Sequence, residues 1–307
     1  YDQDNFNKYN AVKLSASQFA NGADNGHIES LAYVFKDHAV TDLMKSQILE
    51  PPTVSDFAEG MSSFNPNEML ALQTKYISRV GDELGPVLLN YVKETPLKPF
   101  TYSLEEKGVR ALYTCALEYL VASPTYKKQA VEVLKDVYKK ADNMTISFSA
   151  LLLLQKYATD DAVETSADFY NTHHKEQLTL QKWIAAYMAV PSFEEAERRV
   201  KDVESLEGYS EKIPNFVRAL WGAFFRNEAV FHDSEGRGYK LLLDTILKID
   251  KINAQMSSGL MKTFNIAPKI SGKNKDVIKE AVLGFNSKGE SLSKNLEETY
   301  SSIKGAL

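Results

Sequence analysis

A helix that is apolar around nearly its whole circumference can exist only if other elements enclose it. The stretch Ile213 to Tyr239, IPNFVRALWGAFFRNEAVFHDSEGRGY, reads as such a helix running directly into a polar loop. At about 100° per residue, Phe216, Val217, Ala219, Leu220, Trp221, Ala223, Phe224 and Phe225 leave only the sector of Arg218 and Gly222 free of apolar side chains. The expectation is a buried helix from which Arg218 projects through a narrow gap, with Gly222 adding no side chain to block it. A guanidinium so placed has to meet a carboxylate, carbonyl oxygens or a water-filled channel. Two readings of Arg218 stand side by side: an internal ion pair, and an arginine that faces a cavity and contacts a ligand.

The enclosing elements read as helices throughout. Asp4 to Gly22 has helical spacing with Asp4 or Asn5 as cap; His27 to Val40 and Thr41 to Leu49 follow, stopped by Pro51-Pro52, and Thr53 caps a short turn through Phe57. Asn65-Pro66-Asn67 opens the longest tract, in which Gly85-Pro86 is expected to kink or divide the helix. Ser103 to Val121, Tyr126 to Lys140, Met144 to Tyr157, Ala162 to His173, Lys175 to Val190 and Phe193 to Leu206 come next. After the apolar helix follow Gly238 to Ile252, Asn253 to Phe264, Lys275 to Phe285 and Ser291 to Ile303. Short polar connections imply antiparallel neighbours, and no run of alternating strand residues occurs. The predicted fold is all-α: one domain over residues 1–307, an irregular superhelical stack of short antiparallel helices in the manner of an ARM/HEAT-like α-solenoid, without a fixed repeat period.

Charge and cysteine content narrow the function classes. A formal charge of -5 provides no basic field for nucleic acid or an anionic membrane. No stretch approaches the roughly 18 apolar residues of a membrane span. The single cysteine, Cys115, lies in an apolar helical run and reads as a core thiol, which excludes an intrachain disulfide and fits a reducing, cytoplasmic setting. With no initiator Met and no signal-like segment at Tyr1-Asp2-Gln3-Asp4, the sequence is expected to be a piece of a longer chain.

Reaction chemistry is hard to find in it. None of His27, His38, His173, His174 and His232 stands in a His-Glu-x-x-His pattern, and no Walker loop, Gly-x-Ser-x-Gly elbow or dinucleotide fingerprint is present. His173-His174 reads as a helix-end pair, and Trp183 and Trp221 as core residues. His232-Asp233-Ser234-Glu235 gathers a base and carboxylates in one loop; as a hydrolase centre it would rest on His232 and Asp233, and as structure it caps the helix beginning near Gly238. No catalytic residue, metal ligand or cofactor site is assigned within this chain.

Several landmarks, in this order and at these separations, nevertheless form a pattern: Asp4-Asn5-Phe6-Asn7-Lys8-Tyr9, Ala141-Asp142-Asn143-Met144-Thr145, Lys182-Trp183, and Pro214-Asn215 through Gly222-Ala223-Phe224 with Phe231-His232 and Gly238-Tyr239. Over nearly its full length the chain resembles the C-terminal helical domain of bacterial aminopeptidase N, a zinc-dependent enzyme of the gluzincin clan. The resemblance implies the last of four domains, with the zinc ligands and catalytic glutamate upstream. Its partners would be the catalytic domain of the same polypeptide, over which it packs to close an internal chamber, and the peptide substrates that reach the zinc through restricted openings. It also implies that Arg218, in the segment Asn-x-x-Arg-x-Leu, faces that chamber. Where many relatives carry a second arginine, after Asn253 to Ser258, this chain has Gly259. The rival reading is a free-standing α-solenoid scaffold that binds protein segments on a concave face.

Overall fold

The computed structural model describes residues 4–23, 26–287 and 289–307. Among these residues there are seventeen α-helices, two 3-10 stretches and no strand, only an isolated parallel bridge between Phe64 and Ile270. The chain is all-α, as its periodicity requires. It divides into two compact units, Tyr1–Glu59 with Ala71–Thr165 and Gly60–Leu70 with Ser166–Leu307.

The first unit holds α1 (Asn5–Ala20), α2 (His27–Lys36), α3 (Asp42–Ile48), α4 (Val54–Phe57), most of α5 (Pro66–Glu94), α6 (Leu104–Ala122), α7 (Lys127–Lys140), α8 (Met144–Tyr157) and the start of α9 (Ala162–His173). Its helices begin where the sequence places acceptors for their unpaired amides. Asp4 Oδ1 accepts from Phe6 N (2.7 Å), Thr53 and Asp56 form a reciprocal capping box, and Ser103 and Asn143 accept from the third helical amide. α3 packs on α6, and α6 on α7 and α8. Beneath α1 and α2, His27 bridges Ser15 Oγ (2.7 Å) and the buried Tyr76 hydroxyl (2.8 Å).

Gly85-Pro86 does not divide the long tract: α5 runs unbroken from Pro66 to Glu94 with Pro86 inside it. Its glycines serve packing. An added Cβ at Gly81 would lie 2.2 Å from the Tyr119 carbonyl oxygen, and one at Gly85 would lie 2.0 Å from the Tyr126 ring. Asp82, between them, accepts from Ser123 Oγ and from Thr125 N (3.4 Å), tying α5 to the α6–α7 connection.

The second unit continues with α10 (Gln177–Tyr187), α11 (Phe193–Glu204), α12 (Pro214–Arg226), α13 (Glu228–Phe231), α14 (Arg237–Asp250), α15 (Ala254–Met261), α16 (Asn274–Gly284) and α17 (Lys294–Gly305). α12 packs on α10, α14 on α15, and α15 on α17. Phe231, Tyr239 and Phe264 meet edge to face at its centre. Fully buried Asn274 donates to His232 O (3.0 Å) and accepts from Asn67 Nδ2 (2.8 Å).

The structure corrects the expectation of all-round burial for α12. Phe216, Val217, Leu220, Trp221 and Phe224 are buried, whereas Ala219, Ala223 and Phe225 are half-buried, and Asn215, Arg218 and Arg226 are exposed. The physical reason is the weakness of alanine as a burial signal. Ala219 and Ala223 lie on the boundary of the buried arc, where a methyl group gains little from enclosure, so α12 is one-sided.

Candidate functional site

Arg218 therefore stands in the open, on the wall of a groove rather than in a gap through the core. The groove has a volume of about 710 Å³ and is built within the second unit from α12, α15 and α17. Pro214, Arg218, Gly222, Phe225 and Arg226 line it from α12; Met256, Ser258, Gly259 and Leu260 from α15; and Asn295, Glu298 and Thr299 from α17.

Arg218 Nη1 donates to Asn215 Oδ1 at 2.9 Å, one turn earlier on the same helix. Among the described residues no carboxylate lies within ion-pair distance of it, so the internal ion pair does not form. Gly222 plays a different part from that expected. A Cβ there would come 3.2 Å from Arg226 Nη1, so the missing side chain lets Arg226 lie back along the helix. Arg218, Gly222 and Arg226 follow at four-residue intervals and place two guanidiniums on one stripe.

The opposite wall is fixed by side-chain bonds. Asn253 Oδ1 caps α15 through Met256 N (3.0 Å), and Ser258 Oγ lies 2.7 Å from Thr299 Oγ1. Behind them Asp250 accepts from Ser257 Oγ (2.6 Å) and Ser293 N (2.7 Å), joining α14, α15 and the start of α17. Lys262 adds a third cation, and the groove's Glu298 lies 4.0 Å from Lys294. On a chain of net charge -5 the groove is locally cationic, with Phe225, Met256 and Leu260 as apolar wall. Such a surface suits an extended ligand that ends in a carboxylate. Gly259 is exposed in the wall, with nothing within 4 Å of an added Cβ.

The other residues singled out in the sequence lie elsewhere. His232 is buried, with Nδ1 2.7 Å from Tyr239 Oη and Nε2 3.2 Å from Glu228. Asp233 turns to Arg237, which grips both its oxygens (3.0 and 2.7 Å) and holds its carboxyl below the usual range. Asp233 also accepts from Glu235 N and Arg237 N at the start of α14. The two side chains thus have separate partners and do not form a base–carboxylate pair. Cys115 donates to Leu49 O (3.4 Å), and burial pushes its thiol up. His174 bonds to Tyr170 O (2.9 Å) at the end of α9, and Trp183 and Trp221 are core residues. Among the described residues no three His, Cys, Asp or Glu side chains come together as a metal-ligand set.

Sequence reasoning missed Arg226, Lys262 and the α17 residues. Arg226 carried a usable signal, its four-residue spacing from Gly222; the α17 residues carried none, because their approach to α12 depends on long-range packing.

Residues 1–304 match the family described as a domain of unknown function (DUF3458_C) of ARM repeats. The chain is 23% identical over 272 residues to aminopeptidase N of Haemophilus influenzae, and 26% identical over 272 residues to aminopeptidase N of Caulobacter vibrioides. These alignments cover 88% and 85% of this chain but 31% of each relative, in its C-terminal part. The chain thus spans about a third of their length. The fold is similar to that of Legionella pneumophila aminopeptidase A, solved in complex with aspartic acid, with a TM-score of 0.88 at 19% identity over 100% of this chain and 38% of that one.

Proposed function

Because this chain belongs to the DUF3458_C family of ARM-repeat domains, we propose that it is the non-catalytic C-terminal domain of a zinc-dependent aminopeptidase that removes N-terminal residues from peptides. It caps the active-site chamber, and the groove bearing Arg218 borders the space occupied by the distal part of the substrate. The zinc and its ligands belong to the upstream catalytic domain of the same polypeptide.

One observation carries this reading. Arg218 is a solvent-facing guanidinium that, among the described residues, is anchored through Asn215 Oδ1 and meets no carboxylate, in a cationic groove with apolar walls. Its remaining N–H donors face the groove's solvent and are open to a ligand. An aminopeptidase substrate enters amino end first, so its free carboxylate lies at the far end from the reacting bond, and a guanidinium remote from the metal is suited to receive it.

The test is Arg218→Met in the full-length polypeptide. KM for tripeptides and longer substrates rises about tenfold or more, the worth of a charge-assisted hydrogen bond. Aminoacyl anilides, which do not reach the groove, keep their KM, and stability changes by less than about 0.5 kcal/mol. Unchanged peptide KM in a folded variant would sink the proposal.

A further inference from the structure

Apart from Arg218 and Arg226, the arginines of this chain are held by its fold. Arg79, Arg198, Arg199 and Arg237 each hold a carboxylate at 2.6 or 2.7 Å, and Arg110 is buried over the Phe100 ring at 4.9 Å. Arg226, like Arg218, is exposed, and among the described residues no carboxylate lies within ion-pair distance of it. Glu228, two residues on, lies 3.2 Å from His232, and Glu298 across the groove lies 4.0 Å from Lys294. Two guanidiniums without a carboxylate thus share one stripe of α12 and one groove. Both lean toward the start of the helix, Arg218 onto Asn215 and Arg226 into the slot at Gly222, where an added Cβ would meet Nη1 at 3.2 Å and Nη2 at 3.4 Å. Asn215 and Gly222 are two turns apart on nearly the same line, so the two charges stand about 10 Å apart along the helix.

We infer that Arg226 is a second anion-binding point of this groove, and that the pair selects peptides with an acidic side chain two residues before the last. This rests on the reading of the groove as the seat of a substrate's far end, and it adds the class of substrate. An extended peptide advances about 3.3 Å per residue, so residues two apart face the same way. An acidic side chain at that position therefore lies nearly 10 Å behind the terminal carboxylate, which matches the spacing of the two guanidiniums. An acidic last residue holds its two carboxylates only about 5 Å apart, too close to span them. A neutral side chain two residues before the last leaves Arg226 to water. Each guanidinium presents a planar fork to a carboxylate, so the contact reads position as well as charge.

The experiment uses the full-length polypeptide and pairs of pentapeptides with a free carboxyl end, differing only in Asp or Asn two residues before the last. In the parent, kcat/KM for the Asp peptide exceeds that for its Asn partner by about three- to tenfold, through KM. Arg226→Met, at an exposed position and with an unchanged thermal midpoint, brings the ratio close to one. Gly222→Leu keeps every charge but fills the slot that Arg226 occupies, and it also brings the ratio close to one. A parent ratio near one, or a ratio that persists in Arg226→Met, overturns the inference. So does a ratio lost in Arg226→Met but kept in Gly222→Leu, since the charge would then act without being placed. Arg218→Met, and amidation of the peptide's carboxyl end, read the other point: they raise KM for both peptides alike and leave the ratio standing. Either reading can therefore fail while the other holds.

Discussion

His27 is 2% exposed and holds its place through two neutral hydrogen bonds, to Ser15 and Tyr76. Burial lowers its pKa from 6.5 to about 4, assisted by the nearby Arg79 guanidinium. The unfolded chain therefore takes up this proton first. The stability that depends on neutral His27 is complete above pH 6.5 and is lost as pH falls towards 4, by up to about 3 kcal/mol. Urea midpoints at pH 7.5 and 4.5 test this: a His27→Gln variant loses less between the two than the parent does, whatever its absolute stability, and equal losses would refute the assignment. Gly259 offers a residue-scale test of opposite sign. It sits inside α15, exposed and with open space around it. Gly259→Arg is expected to stabilise the fold by roughly 0.5–1 kcal/mol through helix propensity. In the full-length polypeptide it also lowers KM for longer peptides by adding a cation to the groove wall, which leaves anilide kinetics as the control. A drop in thermal stability, or peptide KM unmoved, would count against this placement of Gly259.

At the scale of elements, α5 separates propensity from packing. Propensity alone makes Gly81→Ala stabilising by nearly 1 kcal/mol. The Tyr119 carbonyl oxygen, 2.2 Å from the added methyl, makes it destabilising, by about 2 kcal/mol or more, since the backbone of α6 has to move. Chemical denaturation of the variant decides the sign. The same helix shows what the sequence could and could not convey. Caps at Asp4 and Thr53 were legible because their bonds are local. Gly85-Pro86 read as a kink or a division because the partner that Gly85 packs against, Tyr126, is remote in sequence. α12 misled for a related reason. Periodicity counts Ala219 and Ala223 as apolar, but only tertiary packing decides whether a methyl group at the edge of the arc is covered. As for the groove, Arg218 stood out as the charge among the apolar residues 216–225, whereas the wall supplied by α17 left no mark in the sequence.

At the scale of the whole molecule, a chain of net charge -5 keeps Arg218, Arg226 and Lys262 together on one groove, and Asp250 locks the helices that form it. No helix of the described residues is long and apolar enough to cross a membrane. The all-α architecture was legible throughout, because short helices with short polar connections leave little alternative; the division into two compact units was not, because the helical pattern continues across it. On the proposed function, the α12–α15–α17 groove receives the far end of a peptide whose near end is cleaved elsewhere in the polypeptide. The most direct test of this role is photolabelling of the full-length protein with a peptide carrying a benzophenone on its last residue, followed by mapping of the label. Label is expected within α12, α15 or α17 and is diminished by Arg218→Met; label confined to upstream segments and indifferent to that substitution would rule this role out.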